Sequence, residues 1–217
     1  MSQLIPNGTV FAVSTVLAAA KTISAITNAA PPVATSAAHG MANGDVGLLS
    51  SGWLELNERV ARLANQATNS FELEGFDTTS TTRFPTGQSA GTFSKVSTWV
   101  TLSQVREMSK SGGDQQFFQW RYLEDRSSRQ RQRPTYKNSK VLTLTLDYDP
   151  ALAWYNSLIA LDAAKSLIVL RATLPNSSVI YYGVYPSFDE DPSFTMDENM
   201  GNIATFSQNS QLTRFDT

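Results

Sequence analysis

Residues 140–149 read KVLTLTLDYD. Leu142, Leu144, Leu146 and Tyr148 fall on one side of an extended chain, and Thr143, Thr145 and Asp147 fall on the other. A period of two with one apolar face is the pattern of an antiparallel strand that covers a core and meets water behind it. The pattern continues outward. Upstream, FFQWRYLED alternates, with Phe118, Trp120 and Tyr122 on one face and Gln119 and Arg121 on the other. Downstream, LIVLRATLPNSSVIYYGVYP reads as a hairpin turning at Pro175 to Ser178, and ATFSQNSQLTRF as a final strand. Between them, DPALAWYNSLIALDAAKS predicts a helix with Asp149 as N-cap and Pro150 at its first position. Leu152, Tyr155, Ile159 and Asp162 are spaced for one helical side, with Leu158 beside them and Lys165 near the C-terminal end. One helix among roughly ten strands predicts a mainly β fold, a sandwich or barrel with a flanking α-helix.

The N-terminal half also reads as short strands. FAVSTV and KTISAIT are strand-like, and the small residues between them suit a helical turn. Asn28 to Pro32 is a turn or linker. Gly40, Asn43-Gly44 and Ser51-Gly52 then punctuate the chain at hairpin-like intervals, with strands expected at Asp45 to Leu49, Glu58 to Ala64 and Ser70 to Gly75. Residues 33–85 therefore suit a small β-subdomain within a single domain spanning 1–217. FDTTSTTRFPTGQSAGT reads as a loop, TFSKVSTWVTL as a strand and SKSGGDQ as a turn.

Composition narrows the chemistry. The chain has 217 residues, 41% of them hydrophobic, and a net charge of -2, so charge alone does not make it a polyanion binder. It has no cysteine, which excludes disulfides and thiolate chemistry and fits assembly in a reducing cytoplasm. One histidine and no cysteine also argue against a transition-metal site. MSQLIPNGTV lacks the basic start of a secretory signal, and FAVSTVLAAA is too short and too interrupted for a membrane span.

Three patterns invite a catalytic reading and fail on context. GQSAG (Gly87 to Gly91) matches the G-x-S-x-G nucleophile elbow, but it lacks the strand before and the helix after that an elbow needs. The lone His39 precedes Ser89 and sits in turn chemistry. Glu72 and Glu74 alternate outward on a strand and read as a solvated face rather than a carboxylate pair. No catalytic residue, cofactor site or metal site emerges.

The charge pattern is more informative. DRSSRQRQRPTYKNSK (Asp125 to Lys140) carries six of the seventeen Lys and Arg residues, among them Arg126, Arg129, Arg131 and Arg133. Within this run Tyr136 is the only aromatic, which is poor support for a nucleic-acid arm. SFDEDPSFTMDEN carries Asp189, Glu190, Asp191, Asp197 and Glu198 and no base. A basic loop and an acidic segment on one chain suit head-to-tail contacts between copies, which make rings or filaments.

Along nearly its whole length the sequence resembles the tail tube proteins (major tail proteins) of long-tailed, non-contractile bacteriophages. The resemblance is carried by NAAPPVATSAAHGMANGDVGLLSSGW with LNERVARL, by FELEGFDTTSTTRFPTG, by SGGDQQFFQWRYLEDRSSRQRQRPTYK, and by LRATLPNSSVIYYGVYPSFDEDPSFTMDENM, in that order. It implies hexameric rings stacked into a hollow virion tube, with each subunit lending strands to an inner β-barrel. It implies passage of double-stranded DNA without specific binding, partners in the tape-measure and the tail tip or terminator proteins, and no catalysis or membrane. On that footing Thr143, Thr145 and Asp147 are expected to face the lumen. Arg126, Arg129, Arg131, Arg133, Asp189, Glu190 and Asp191 are expected at subunit or ring interfaces, because arginines fixed in the lumen add salt-dependent drag on DNA. The readings set against this are a tail-completion or secretion-tube-like ring and a DNA-binding module using the arginine loop.

Overall fold

The structure is a computed structural model that describes residues 5–127, 129–197 and 199–216. Glu198, part of the acidic segment, lies outside the described residues. The N-terminal half contains β1 (Val10–Leu17), β2 (Lys21–Ile23), β3 (Ala25–Ile26), β4 (Val33–Thr35), β5 (Val46–Ser51), β6 (Arg59–Ala67) and β7 (Ser70–Leu73). Then come β8 (Gly91–Leu102), β9 (Val105–Gly112), β10 (Gln115–Trp120), β11 (Arg131–Lys137) and β12 (Lys140–Asp147). The helix α1 (Ala153–Ala164) precedes β13 (Ile168–Thr173), β14 (Val179–Phe188), β15 (Gly201–Gln208) and β16 (Thr213–Phe215). The mainly β expectation with one flanking helix holds. Among the described residues the small-residue stretch after β1 is no helical turn; the Ala18 amide instead donates to the Lys95 carbonyl at 2.7 Å.

Fourteen strands form one open antiparallel sheet, ordered β3-β4-β7-β6-β5-β8-β1-β13-β14-β15-β12-β9, with β2 on β8 and β16 on β14. β10 and β11 pair only with each other. The long strand β8 joins the halves, pairing with β5 through Gly91 to Lys95 and with β1 through Val96 to Leu102.

The alternation in β12 does what its sequence dictates. Leu142, Leu144 and Leu146 are buried to 1% or less and pack with Phe11, Val13, Leu170, Val184, Phe188 and Phe206. The helix seals this core with Trp154, Leu158 and Leu161. Its start and its buried side differ from expectation. Leu152 is the N-cap and supplies no side-chain bond. The Asp149 carboxylate instead accepts from the Ala151 amide at 3.1 Å, closing a turn before the helix. Pro150 lies in that turn, outside the helix. Leu152, Tyr155 and Ile159 only flank the buried side. Lys165 ends the helix in the left-handed region, with φ of 48°.

A second core gathers Ile23, Ile26, Leu49, Trp53, Leu63, Phe71, Leu73, Phe84 and Phe93. Most of its residues lie between 33 and 85, while Ile23, Ile26 and Phe93 lie outside that range. A third cluster, with Val60, Val169, Tyr181 and Phe215, ties the two together. Here Thr213 Oγ1 donates to the Val60 carbonyl at 2.7 Å, and the Arg62 guanidinium lies 4.0 Å from the Phe215 ring centre.

Candidate assembly and lumen surfaces

The polar side of the sheet at its β14-β15-β12-β9 end forms the first surface. Antiparallel register places Ser109 and Thr205 beside Thr143, and Glu107 and Ile203 beside Thr145. Ser111 and Ser207 flank Val141 on the same side. Thr143, Thr145 and Asp147 are thus brought together, half-buried, on the side of β12 away from its core. Asp147 is paired with Arg106 of β9, whose guanidinium also donates to the Asn199 carbonyl at 2.9 Å. Hydroxyls dominate this side, and one of its few charges is neutralised where it stands.

Two of the four arginines do not lie in a loop, as the basic run from Asp125 to Lys140 led one to expect. Arg131 and Arg133 lie on β11, which with β10 forms a separate hairpin. The error has a clear cause: the partner strand lies ten residues upstream, across a polar connection. Register places Phe118 opposite Arg133 and Trp120 opposite Arg131. Cross-strand partners share a face, so arginines and aromatics interleave there. Phe118 stacks on Trp120 with ring centres 5.9 Å apart, and the Arg131 guanidinium lies 5.3 Å from the Tyr122 ring centre. Within the basic run itself Tyr136 is the only aromatic, and the three that meet the arginines lie upstream of it. The alternation of Phe118, Trp120 and Tyr122 was visible, but the arginines they face were not.

Arg126 and Arg129 are exposed in the connection between the two strands. At its base, hydrogen bonds from the Ser127 side chain and backbone hold the Asp125 carboxyl below its ordinary range, and Arg131, 3.9 Å away, adds to this. Apart from that contact, the hairpin arginines make no ion pair among the described residues.

The acidic segment follows β14. The backbone is held at its start: buried Asn202 donates to the Asp189 and Glu190 carbonyls at 2.9 and 3.2 Å. The Tyr155 hydroxyl donates to the Glu190 carbonyl at 3.2 Å, and the Ser193 amide to the Gly201 carbonyl at 2.8 Å. The Asp189 carboxylate accepts only from the Asp191 amide, at 3.1 Å, and Asp189, Glu190 and Asp191 form no ion pair among the described residues. Phe194 and Met196, unremarked in the sequence reading, stand 79% and 89% exposed beside them.

The candidate catalytic residues have structural roles. Ser89 is buried and its hydroxyl accepts from the Ile26 amide at 2.9 Å. Buried His39 accepts from the Met41 amide through Nδ1 at 3.0 Å, which leaves Nε2 to donate to the Ala67 carbonyl at 2.8 Å. Glu74 binds Arg62 and raises that guanidinium's pKa, while Glu72 accepts from Asn65. Among the described residues no group of three or more His, Cys, Asp or Glu is placed to hold a metal ion.

Residues 51–217 match the family described as "Phage tail tube protein, TTP". The chain belongs to the phage tail tube proteins. Both surfaces of this tail tube protein lie within the matched region. Among solved structures, a chain of the "Virion of native gene transfer agent (GTA) particle" is similar at 9% identity and a TM-score of 0.41. That similarity covers 54% of this tail tube protein and 88% of the other chain. No curated protein matches the sequence.

Proposed function

We propose that this protein assembles, without catalysing any reaction, into stacked rings that form the hollow tail tube of a virion. The rings are hexameric, are built in the host cytoplasm and enclose a channel for genome ejection. Family membership over residues 51–217 is the observation that carries this reading. The sheet supports it: a hydroxyl-rich side backed by a leucine core suits a water-filled wall. In that wall Thr143, Thr145 and Asp147 face the lumen, and strands of neighbouring subunits complete the barrel that the open sheet of one chain leaves unclosed. The tape-measure protein fills the lumen before DNA, and tip and terminator proteins cap the ends. Residues 33–85 form a small subdomain on this frame.

Negative-stain electron microscopy over a concentration series tests it. Hollow tubes, or stacked rings with a pore of about 20 Å or more, the width of duplex DNA, are expected. Isolated rings that never stack favour a tail-completion role, and particles without a pore defeat the reading.

A further inference from the structure

The hairpin and the acidic segment leave the subunit at opposite ends of one strand. β12 begins at Lys140, paired with Gly112, where the hairpin departs. It ends at Asp147, paired with Gly201, where the acidic segment returns to the sheet. Seven residue steps at about 3.3 Å separate the two points by about 23 Å. We propose that the arginine–aromatic face of β10–β11 docks head to tail on residues 189–197 of a second copy of this chain. The proposal rests on the ring-forming reading above and names the contact that joins copies.

Each side lacks what the other provides. The hairpin is two-stranded, pairs with no other strand, and every residue of β11 is exposed. An isolated two-stranded hairpin is marginally stable in water, so a partner that covers it gives it order. Phe118, Trp120, Arg131 and Arg133 form its mixed face. Aromatics, methionine and arginine are the side chains enriched in protein interfaces. The acidic segment offers the complement: exposed Asp189 and Glu190, whose backbone carbonyls accept from Asn202 and Tyr155, followed by exposed Phe194 and Met196. Aliphatic sulfur against aromatic rings is a favourable contact. Two different patches on one subunit make a heterologous contact, which propagates rather than closing a pair. An arginine–aromatic face also suits nucleic acid. A copy of this chain is favoured because the same molecule carries the matching acidic, apolar surface.

The absence of cysteine allows a background-free test. Arg133→Cys and Met196→Cys are prepared separately in the full chain, mixed and oxidised. Both positions are exposed, and unchanged thermal melts check the fold. A disulfide between the two variants, at least tenfold above that within either alone, is expected. Arg131→Glu with Arg133→Glu should weaken assembly at least tenfold, and adding Asp189→Arg with Glu190→Arg should restore it. Cross-linking without tubes supports the contact and defeats the tube. Failure to cross-link overturns the contact, whether or not tubes form. Assembly untouched by the reversed arginines, together with lost salt-sensitive DNA binding, overturns it in favour of a nucleic-acid arm.

Discussion

A Cβ added to Gly91 would overlap the Ser50 carbonyl oxygen and lie 2.9 Å from the Ser51 Cα, both backbone atoms of the neighbouring strand. Neither can swing away as a side chain can. Gly91 closes the GQSAG pattern, so the glycine that suggests a nucleophile elbow is there because β5 and β8 approach too closely for a side chain. Gly91→Ala is expected to destabilise the fold by about 3 kcal/mol, the upper end for overpacking a tight site. Urea denaturation measures it, and a loss below about 0.5 kcal/mol would show that the strands can part. His39 carries the same lesson. Its sequence context reads as a turn, and it directly follows one at Ala37 and Ala38. What the sequence does not display is that Phe71, thirty-two residues on, meets its ring edge-on at 5.1 Å, so the imidazole is buried and bonded at both nitrogens.

At the scale of the element, α1 shows how burial and polarity separate. Leu158 is completely buried, and Leu158→Ala should cost about 2–5 kcal/mol. Trp154 is buried too, packing edge-on against Phe188 at 6.2 Å, but its indole nitrogen has no hydrogen-bond partner among the described residues. An unpaired buried donor costs free energy, so Trp154→Phe gives up little more than volume and should fall within about 1 kcal/mol of the parent. Thermal unfolding of the two variants separates these outcomes, and a Trp154→Phe cost near that of Leu158→Ala would mean the indole has a partner. What the sequence revealed at this scale followed local periodicity. β12 was legible because its alternation involves only itself and water. The helix was legible but not its start, since Asp149 and Pro150 fit a cap and equally fit the turn that precedes it. The hairpin was not legible, because its strands must be paired before the arginines and aromatics are seen to share a face.

At the scale of the whole molecule, pairing distance decides what sequence can reveal. Val10 lies opposite Thr173 and Phe11 opposite Leu102, so the central strand joins segments that no local pattern connects. The polar side built by β9, β12 and β15 is a product of that long-range order, and the lumen role proposed for it rests on what it lacks. Duplex DNA carries a negative charge about every 1.7 Å, so each unpaired lysine or arginine facing it adds a salt-dependent hold. Thr143, Thr145, Ser109 and Thr205 add none, and the Asp147 charge is met by Arg106. Tubes of the parent protein should therefore retain no duplex DNA at about 0.15 M salt, where screening already reaches within about 8 Å. Thr143→Lys with Thr145→Lys puts two cations per subunit on that side. If it lines the lumen, the variant still assembles, because water surrounds the new ammonium groups, and its tubes retain DNA that is released as salt is raised. If it is instead buried between subunits, the same lysines must be desolvated without partners and assembly fails. Co-sedimentation of tubes with short duplex DNA across a salt series reads both results in one experiment, and loss of tubes would remove Thr143 and Thr145 from the channel wall.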